Sequence, residues 1–306
     1  MIVSALLWIS SSLRLGMFGV NELRASERAR CFAALLCAAS AGASLVSFFQ
    51  KGMVMRRNPY LYAFMCFWRM MVKGRLLWVY GVLYGEYGPQ GWWPLSSCAS
   101  LSGGYHKGNF SLPEGEEDVL EVLVGAVLAQ NTSWKNVEKA LRALLVRRVL
   151  SVEGLDGLDE AELASLIRSA GYFNQKARTL KGLVAFLRGF GSLQAVFDDA
   201  EVRVKLLALR GVGPETADSM LLYAGKLPYV VVDAYTRRIL SRLGVCKADD
   251  SYGVLQCLIQ EALPRDVAVY NEFHALLVEH AKRFCRKDPG CSGCPLRRRC
   301  AFFLAK

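Results

Sequence analysis

From about residue 118 to residue 284, apolar side chains recur every three to four positions and almost nothing recurs every two. That period confines this stretch to helices. Val119, Leu120, Val122, Leu123, Ala126 and Val127 place a buried helix over Asp118–Gln130. Thr132 or Ser133 caps the next, Trp134 to about Val146, with Val137, Ala140, Leu141 and Leu144 on one face. A third helix is expected from Asp159, closed by Gly171. Others are expected at Asn174–Phe186, Ser192–Phe197, Glu201–Leu209, Pro214–Ala224, Asp233–Leu243, Ser251–Ala262 and Tyr270–Phe284. The one β-rich run, Tyr229–Val232, is short and isolated, so it reads as a buried extended segment. The expected class is all-α.

Charge locates the partners. The net charge is +11, unevenly spread. Residues 1–75 hold ten Lys/Arg and two Glu, and residues 281–306 hold eight Lys/Arg and one Asp, which leaves the middle at −4. Any nucleic-acid footprint is therefore local.

The expected organisation is an N-terminal extension over 1–72, a helical body over 73–280 and a cysteine-rich tail over 281–306. The uncharged run Cys31–Phe49 has the length of a membrane span, but Ala, Ser, Gly and Cys give it little drive to insert. Three readings compete for the extension: a membrane anchor, a loosely structured appendage, and a translated leader ahead of a start near Met70 or Met71. A helix is expected from about Lys73, ended by Gly88-Pro89. Ser96–Gly115 is Ser/Gly-rich and reads as a long loop.

Of ten cysteines, Cys285, Cys291, Cys294 and Cys300 fall within sixteen residues, spaced C-x5-C-x2-C-x5-C. Four thiolates so close in sequence suit a [4Fe–4S] cluster or a tetrahedral zinc. The scattered remainder reads as ordinary thiols in a reducing compartment.

Leu209-Arg210-Gly211-Val212-Gly213 joins two helices. Glycines at Gly211 and Gly213 bare the backbone N–H groups, and the following helix points its N-terminus the same way, which makes an anion site suited to a DNA phosphate. An ordinary helix–helix turn is the plain alternative. Asp233, after three Val and at a helix start, is first of all an N-cap.

Four motifs stand in order: Val124–Thr132, Gly171–Ala177, Leu209–Ala217 with Val232-Asp233 behind it, and the cysteine cluster. Together, over roughly Gly74–Cys300, they resemble the helix-hairpin-helix–Gly/Pro/Asp superfamily of DNA glycosylases, which includes endonuclease III. The resemblance implies a two-lobed all-α fold with a C-terminal iron–sulfur cluster loop. It implies that Asp233 is the catalytic carboxylate. Such a group can stabilise positive charge on a deoxyribose as its base departs and can orient the attacking water. It implies that Gln130 fills the gap left by a flipped nucleotide, that Asn174 and Lys176 form the neighbouring minor-groove wedge, and that the four cysteines hold [4Fe–4S]. The family spaces the first pair by six residues where this chain has five. Arg286 and Lys287 beside the cluster are expected to contact DNA phosphates.

Two departures refine the expectation. Bifunctional relatives carry at the position of Glu215 a Lys that attacks C1′ as an amine; a carboxylate cannot form a Schiff base. Base release by water, without efficient strand cleavage, is expected. Ala126 stands where adenine-excising relatives carry an acid, and only six residues follow Cys300, short of that branch's extra domain. Trp92-Trp93-Pro94 and Asn131-Thr132-Ser133-Trp134 instead look like the 3-methyladenine DNA glycosylase III branch, in which aromatics sandwich an alkylated base. Trp92, Trp93 and Trp134 are the expected base pocket, with core packing as the plain alternative. The partner expected is double-stranded DNA carrying a damaged base, met by a cytoplasmic, nucleoid-associated monomer without a small-molecule cofactor.

Overall fold

The computed structural model describes residues 59–98 and 104–305, with side chains from Trp68 onward. Residues 1–58 lie outside the described residues, and with them the run Cys31–Phe49 and the competing readings of the extension. Contacts divide the chain into two compact units, Met1–Trp68 and Arg69–Lys306, and the second holds both the helical body and the cysteine-rich tail. No described helix is long and apolar enough to cross a membrane.

Helix α1, Pro59–Tyr87, begins well before the expected Lys73 and stops at Gly88, whose φ is +66°. Leu76, Val79 and Leu83 are its fully buried positions. Helix α2, Glu116–Leu128, opens on three acids that complement its dipole, and from Leu120 onward every residue is buried. The same helix buries Glu121, whose carboxylate accepts from the Ser96 backbone N–H at 2.8 Å and from its hydroxyl at 2.9 Å. Those bonds fix the start of the Ser96–Gly115 segment, whose described residues form a loop apart from one short turn at Ser96–Cys98.

Helices α3 (Trp134–Val146), α4 (Val152–Gly157) and α5 (Glu160–Leu166) come next. Helix α4, Val-Glu-Gly-Leu-Asp-Gly, buries a single residue, Leu155, and is absent from the sequence reading because two glycines and one buried side chain display no period. Asp159 and Glu162 close a reciprocal capping box on α5. Helices α6 (Phe173–Leu187), α7 (Leu193–Asp198) and α8 (Val202–Ala208) lead to the hairpin. Helix α9, Pro214–Ser219, widens into a π-helical turn at Met220–Ala224, where the sequence predicts a regular helix. Helices α10 (Ala234–Arg242), α11 (Tyr252–Ala262) and α12 (Val267–Arg283) complete the body, and α13 (Ala301–Leu304) closes the tail.

Helix α5 packs on α6, α2 on the π turn, and α10 on α12. The described residues contain no strand, and Val230, Val231 and Val232 form a buried extended run, each 3% exposed. The chain is all-α, as its periodicity requires.

Candidate active site

The hairpin is built by steric necessity. Gly211 has φ +87°, a conformation that L side chains avoid, and a Cβ there would stand 2.2 Å from Thr179 Oγ1 on α6. Gly213 is extended and N-caps α9, and both glycines are exposed. Gln130, just beyond α2, donates its side-chain amide to Gly211 O and to Thr216 Oγ1, each at 2.9 Å. The structure thus brings Gln130, Gly211 and Gly213 together.

Asp233 follows the buried valines. Gln256 on α11 donates to Val230 O at 2.8 Å and to Asp218 Oδ2 at 2.7 Å. Asp218 is fully buried, and Arg203 grips it with Nε at 2.7 Å and Nη2 at 3.1 Å. Tyr252 donates to the same carboxylate at 2.8 Å. Helices α8, α9 and α11 are thereby fastened behind the extended run, and the next residue is held in place. Asp233 caps α10 by accepting the Thr236 N–H at 2.6 Å on Oδ1, while Oδ2 faces His274 Nε2 at 3.6 Å. Burial pushes the Asp233 carboxyl up, but His274 and the Thr236 N–H more than offset this and hold it below the ordinary value.

His274, on α12, escaped the sequence reading. It lies inside an apolar helical pattern, where a histidine looks like any core residue. Its Nδ1 is 2.6 Å from Tyr223 OH. Glu215 shares the cleft from the first turn of α9 while keeping contact with solvent. Burial and the negative charge of Asp233 raise its carboxyl above the usual range.

The three tryptophans also come together. Trp93 is 6% exposed and enclosed by Trp134 at 5.2 Å, Tyr223 at 5.2 Å and Trp92 at 6.1 Å between ring centres. Its indole sits on Gly125 of α2, where a Cβ would lie 3.2 Å from Nε1. Trp93 is the packed base of the cluster. Trp92 and Trp134 keep partial solvent contact, and Trp92 stands edge-on to His274 at 5.6 Å. The buried indole N–H groups of Trp93 and Trp134 have no hydrogen-bond partner. Helix α12 holds this segment in place: Glu272 accepts the N–H groups of Gln90 and Gly91, and Asn271 donates to Trp92 O at 2.8 Å. The long loop backs it through His106, 2.9 Å from Trp93 O.

One expectation is corrected. Lys176 is 2% exposed, and its ammonium donates to Leu128 O at 2.9 Å and Ala170 O at 2.8 Å. It ties the end of α2 to the turn before α6 and does not present its charge to a DNA strand. Burial lowers its pKa to about 8. Asn174 is exposed, as a wedge residue must be. Beside it stands Tyr172, which the sequence reading passed over: 66% exposed, with φ +47°. A large aromatic directly after Gly171 and two residues before Asn174 was the available signal.

In the tail, Arg286 and Lys287 are exposed, and their carbonyls accept from Arg242 at 2.6 and 2.9 Å. Arg242 also donates to Cys285 Sγ at 3.4 Å, and His280 Nε2 lies 3.6 Å from Cys294 Sγ. The four cysteines are all half-buried. Burial pushes Cys294 up to about 11, with the other three thiols adding to the effect. Among the described residues, no group of three or more His, Cys, Asp or Glu could hold a metal ion. A [4Fe–4S] cluster spaces its ligands more widely than a zinc does, because each thiolate binds a different iron. Four half-buried thiols, with Arg242 beside Cys285 and His280 beside Cys294, are the donor set such a cluster would need.

Residues 124–265 match the family model described as HhH-GPD superfamily base excision DNA repair protein. A Methanocaldococcus jannaschii protein named as a candidate DNA repair glycosylase is 40% identical over 227 residues, covering 72% of this chain and 94% of the relative. Endonuclease III of Thermotoga maritima is 32% identical over 191 residues, 61% of this chain and 85% of its own. A trapped endonuclease III–DNA covalent intermediate superposes with a TM-score of 0.55 at 26% identity, over 61% of this chain and 85% of the other. The H. pylori 3-methyladenine DNA glycosylase bound to 1,N6-ethenoadenine superposes with a TM-score of 0.50 at 27% identity, over 55% of this chain and 89% of that one.

Proposed function

The chain belongs to the HhH-GPD superfamily of base excision DNA repair proteins, and on that footing we propose that it is a DNA glycosylase releasing an alkylated base by water, leaving the strand intact. DNA glycosylase activity is what its relatives share; the substrate and the absence of lyase chemistry are our reading.

One observation carries it. A buried aspartate, held ionised at a helix start, stands in the same cleft as an aromatic cluster and a carboxylate where an amine would be needed for lyase chemistry. The Asp233 carboxylate opposes the positive charge that grows on the sugar as the glycosidic bond breaks, and it orients water toward C1′. The exposed part of Trp92, with Trp134 beside the enclosed Trp93, gives an electron-poor base a π surface. The two lysines closest to Glu215 in sequence are engaged elsewhere: Lys205 binds Asp199 and Lys226 binds Ser111 O.

Gly211 and Gly213 hold a backbone phosphate of the duplex. Gln130, Asn174 and Tyr172 meet the bases beside the gap, and Arg286 and Lys287 reach phosphates along the tail. Cys285, Cys291, Cys294 and Cys300 would hold a [4Fe–4S] cluster, which cross-links four points of a segment with little core of its own. We read the enzyme as a monomer acting on the nucleoid, with residues 73–280 as body and 281–306 as cluster loop.

The test is a panel of duplexes, each with one damaged base, incubated with pure protein and scored with and without alkali. Alkylated bases should be released, with strands breaking only after alkali. Release confined to oxidised pyrimidines, with direct strand breaks, would overturn the reading.

A further inference from the structure

Tyr223 is 2% exposed, and its hydroxyl is hydrogen-bonded to His274 Nδ1. Burial and the charges of Asp233 and Glu272 keep its phenol protonated well beyond the ordinary range. Its O–H is therefore the donor and Nδ1 the acceptor. An imidazolium would need a proton on Nδ1 as well, and the tyrosine O–H would then be buried without a partner, a costly arrangement. The ring proton belongs on Nε2. That nitrogen is buried, has no hydrogen-bond partner, and faces Asp233 Oδ2 at 3.6 Å.

We propose that His274 is the positioning residue of Asp233: Tyr223 locks its imidazole in the neutral Nε2–H tautomer, and that N–H holds Oδ2 while the Thr236 amide holds Oδ1. Hydrogen-bonded at Oδ1 and faced by an N–H at Oδ2, the carboxylate is oriented from both oxygens. A neutral donor also leaves its full negative charge for the sugar, which an imidazolium would cancel. The other groups facing this pair are Glu215 from α9, Tyr223 from the π turn and the Trp92 ring; Glu272, also on α12, is engaged with Gln90 and Gly91. What opposes ionisation of Asp233 is its burial, so the burden of keeping it charged falls on His274 and Thr236.

The effect on base release rests on the glycosylase reading, whereas the tautomer does not. Without His274, burial is opposed only by Thr236, and Asp233 takes up its proton at higher pH. His274→Ala should therefore move the acid limb of the pH profile of kcat upward. A displacement of one unit makes excision about tenfold slower at the acid end, with a smaller loss at high pH. KM should hardly change. His274→Gln, whose amide N–H reaches a similar point, should recover much of the loss, which separates positioning from folding.

Ring 15N spectra test the tautomer directly, since the chain has three histidines and His274→Gln identifies the signals. Near pH 7.5, His274 should show an unprotonated Nδ1 and a protonated Nε2. Tyr223→Phe should yield a tautomer mixture. An Nδ1–H tautomer, an imidazolium, or an unmoved acid limb in His274→Ala would overturn the proposal. A wild-type protein that shows the expected tautomer but excises nothing would support the proton placement and sink the glycosylase reading instead.

Discussion

Gln130 and Gly211 are joined across 81 residues by one hydrogen bond from a side-chain amide to a backbone carbonyl, at 2.9 Å. The end of α2 and the hairpin turn are therefore one rigid piece, and Gly211 cannot be replaced without moving it. Gly211→Ala should cost about 2–3 kcal/mol, from a left-handed backbone and the clash with Thr179 Oγ1. It should also weaken DNA binding. Adding Thr179→Ala should return the steric part and leave the backbone part. Urea midpoints of the single and double variants measure both.

Asp233→Asn should leave DNA affinity near that of the wild type and slow excision by ~10²-fold or more, since it removes the charge facing the sugar. The wild-type rate should be flat at neutral pH and fall only in acid, because the Asp233 carboxyl is held below its ordinary value. Single-turnover excision across a pH series reads both effects. Unchanged turnover in the variant would remove Asp233 from the chemistry.

The longer helices were legible because each carries its own period, and some starts are marked by a cap: Asp159, Ser192 and Asp233 mark starts that the structure keeps. The hairpin glycines and Asp233 were legible as motifs. What the sequence hid are relationships between distant segments. His274 meets Asp233 from another helix, 41 positions along, and the Tyr223 contact depends on a π turn that no local pattern announces. Lys176 misled for the same reason: a lysine on a DNA-facing motif reads as a phosphate ligand until its burial is seen.

Lys176 and the tail should therefore behave in opposite ways. Replacing Arg286 and Lys287 together by Ala should lower the slope of log affinity against log salt by about two. Lys176→Met should leave that slope alone and destabilise the fold by about 2 kcal/mol or more, since two buried carbonyls lose their donor. The Lys176 pKa is lowered to about 8 in the folded protein, below the unfolded value. The folded state thus sheds this proton first, and wild-type stability relative to Lys176→Met should rise as pH climbs past about 8. Denaturation at several pH values would show it.

Borohydride should trap no covalent protein–DNA adduct, because Glu215 offers no amine. Lys282, whose ammonium lies 6.0 Å from the Trp92 ring, is the lysine to test if trapping occurs. Loss of trapping in Lys282→Ala would then show a bifunctional enzyme with a relocated nucleophile. Glu215→Lys should confer weak trapping on a wild type that has none.

Pure protein should be yellow-brown, with about four irons per chain. Cys291→Ser should bleach it and lower its melting temperature. A colourless protein with one stoichiometric zinc would contradict the cluster.

Helix α10 has Asp233 at one end and Arg242, the donor to Cys285 Sγ, at the other. Its length is thus a ruler. One inserted residue would carry Arg242 ~1.5 Å along the axis and ~100° around it, unhooking the tail. Insertions and deletions between 233 and 242 should be absent from working descendants of this chain, however far their sequences diverge.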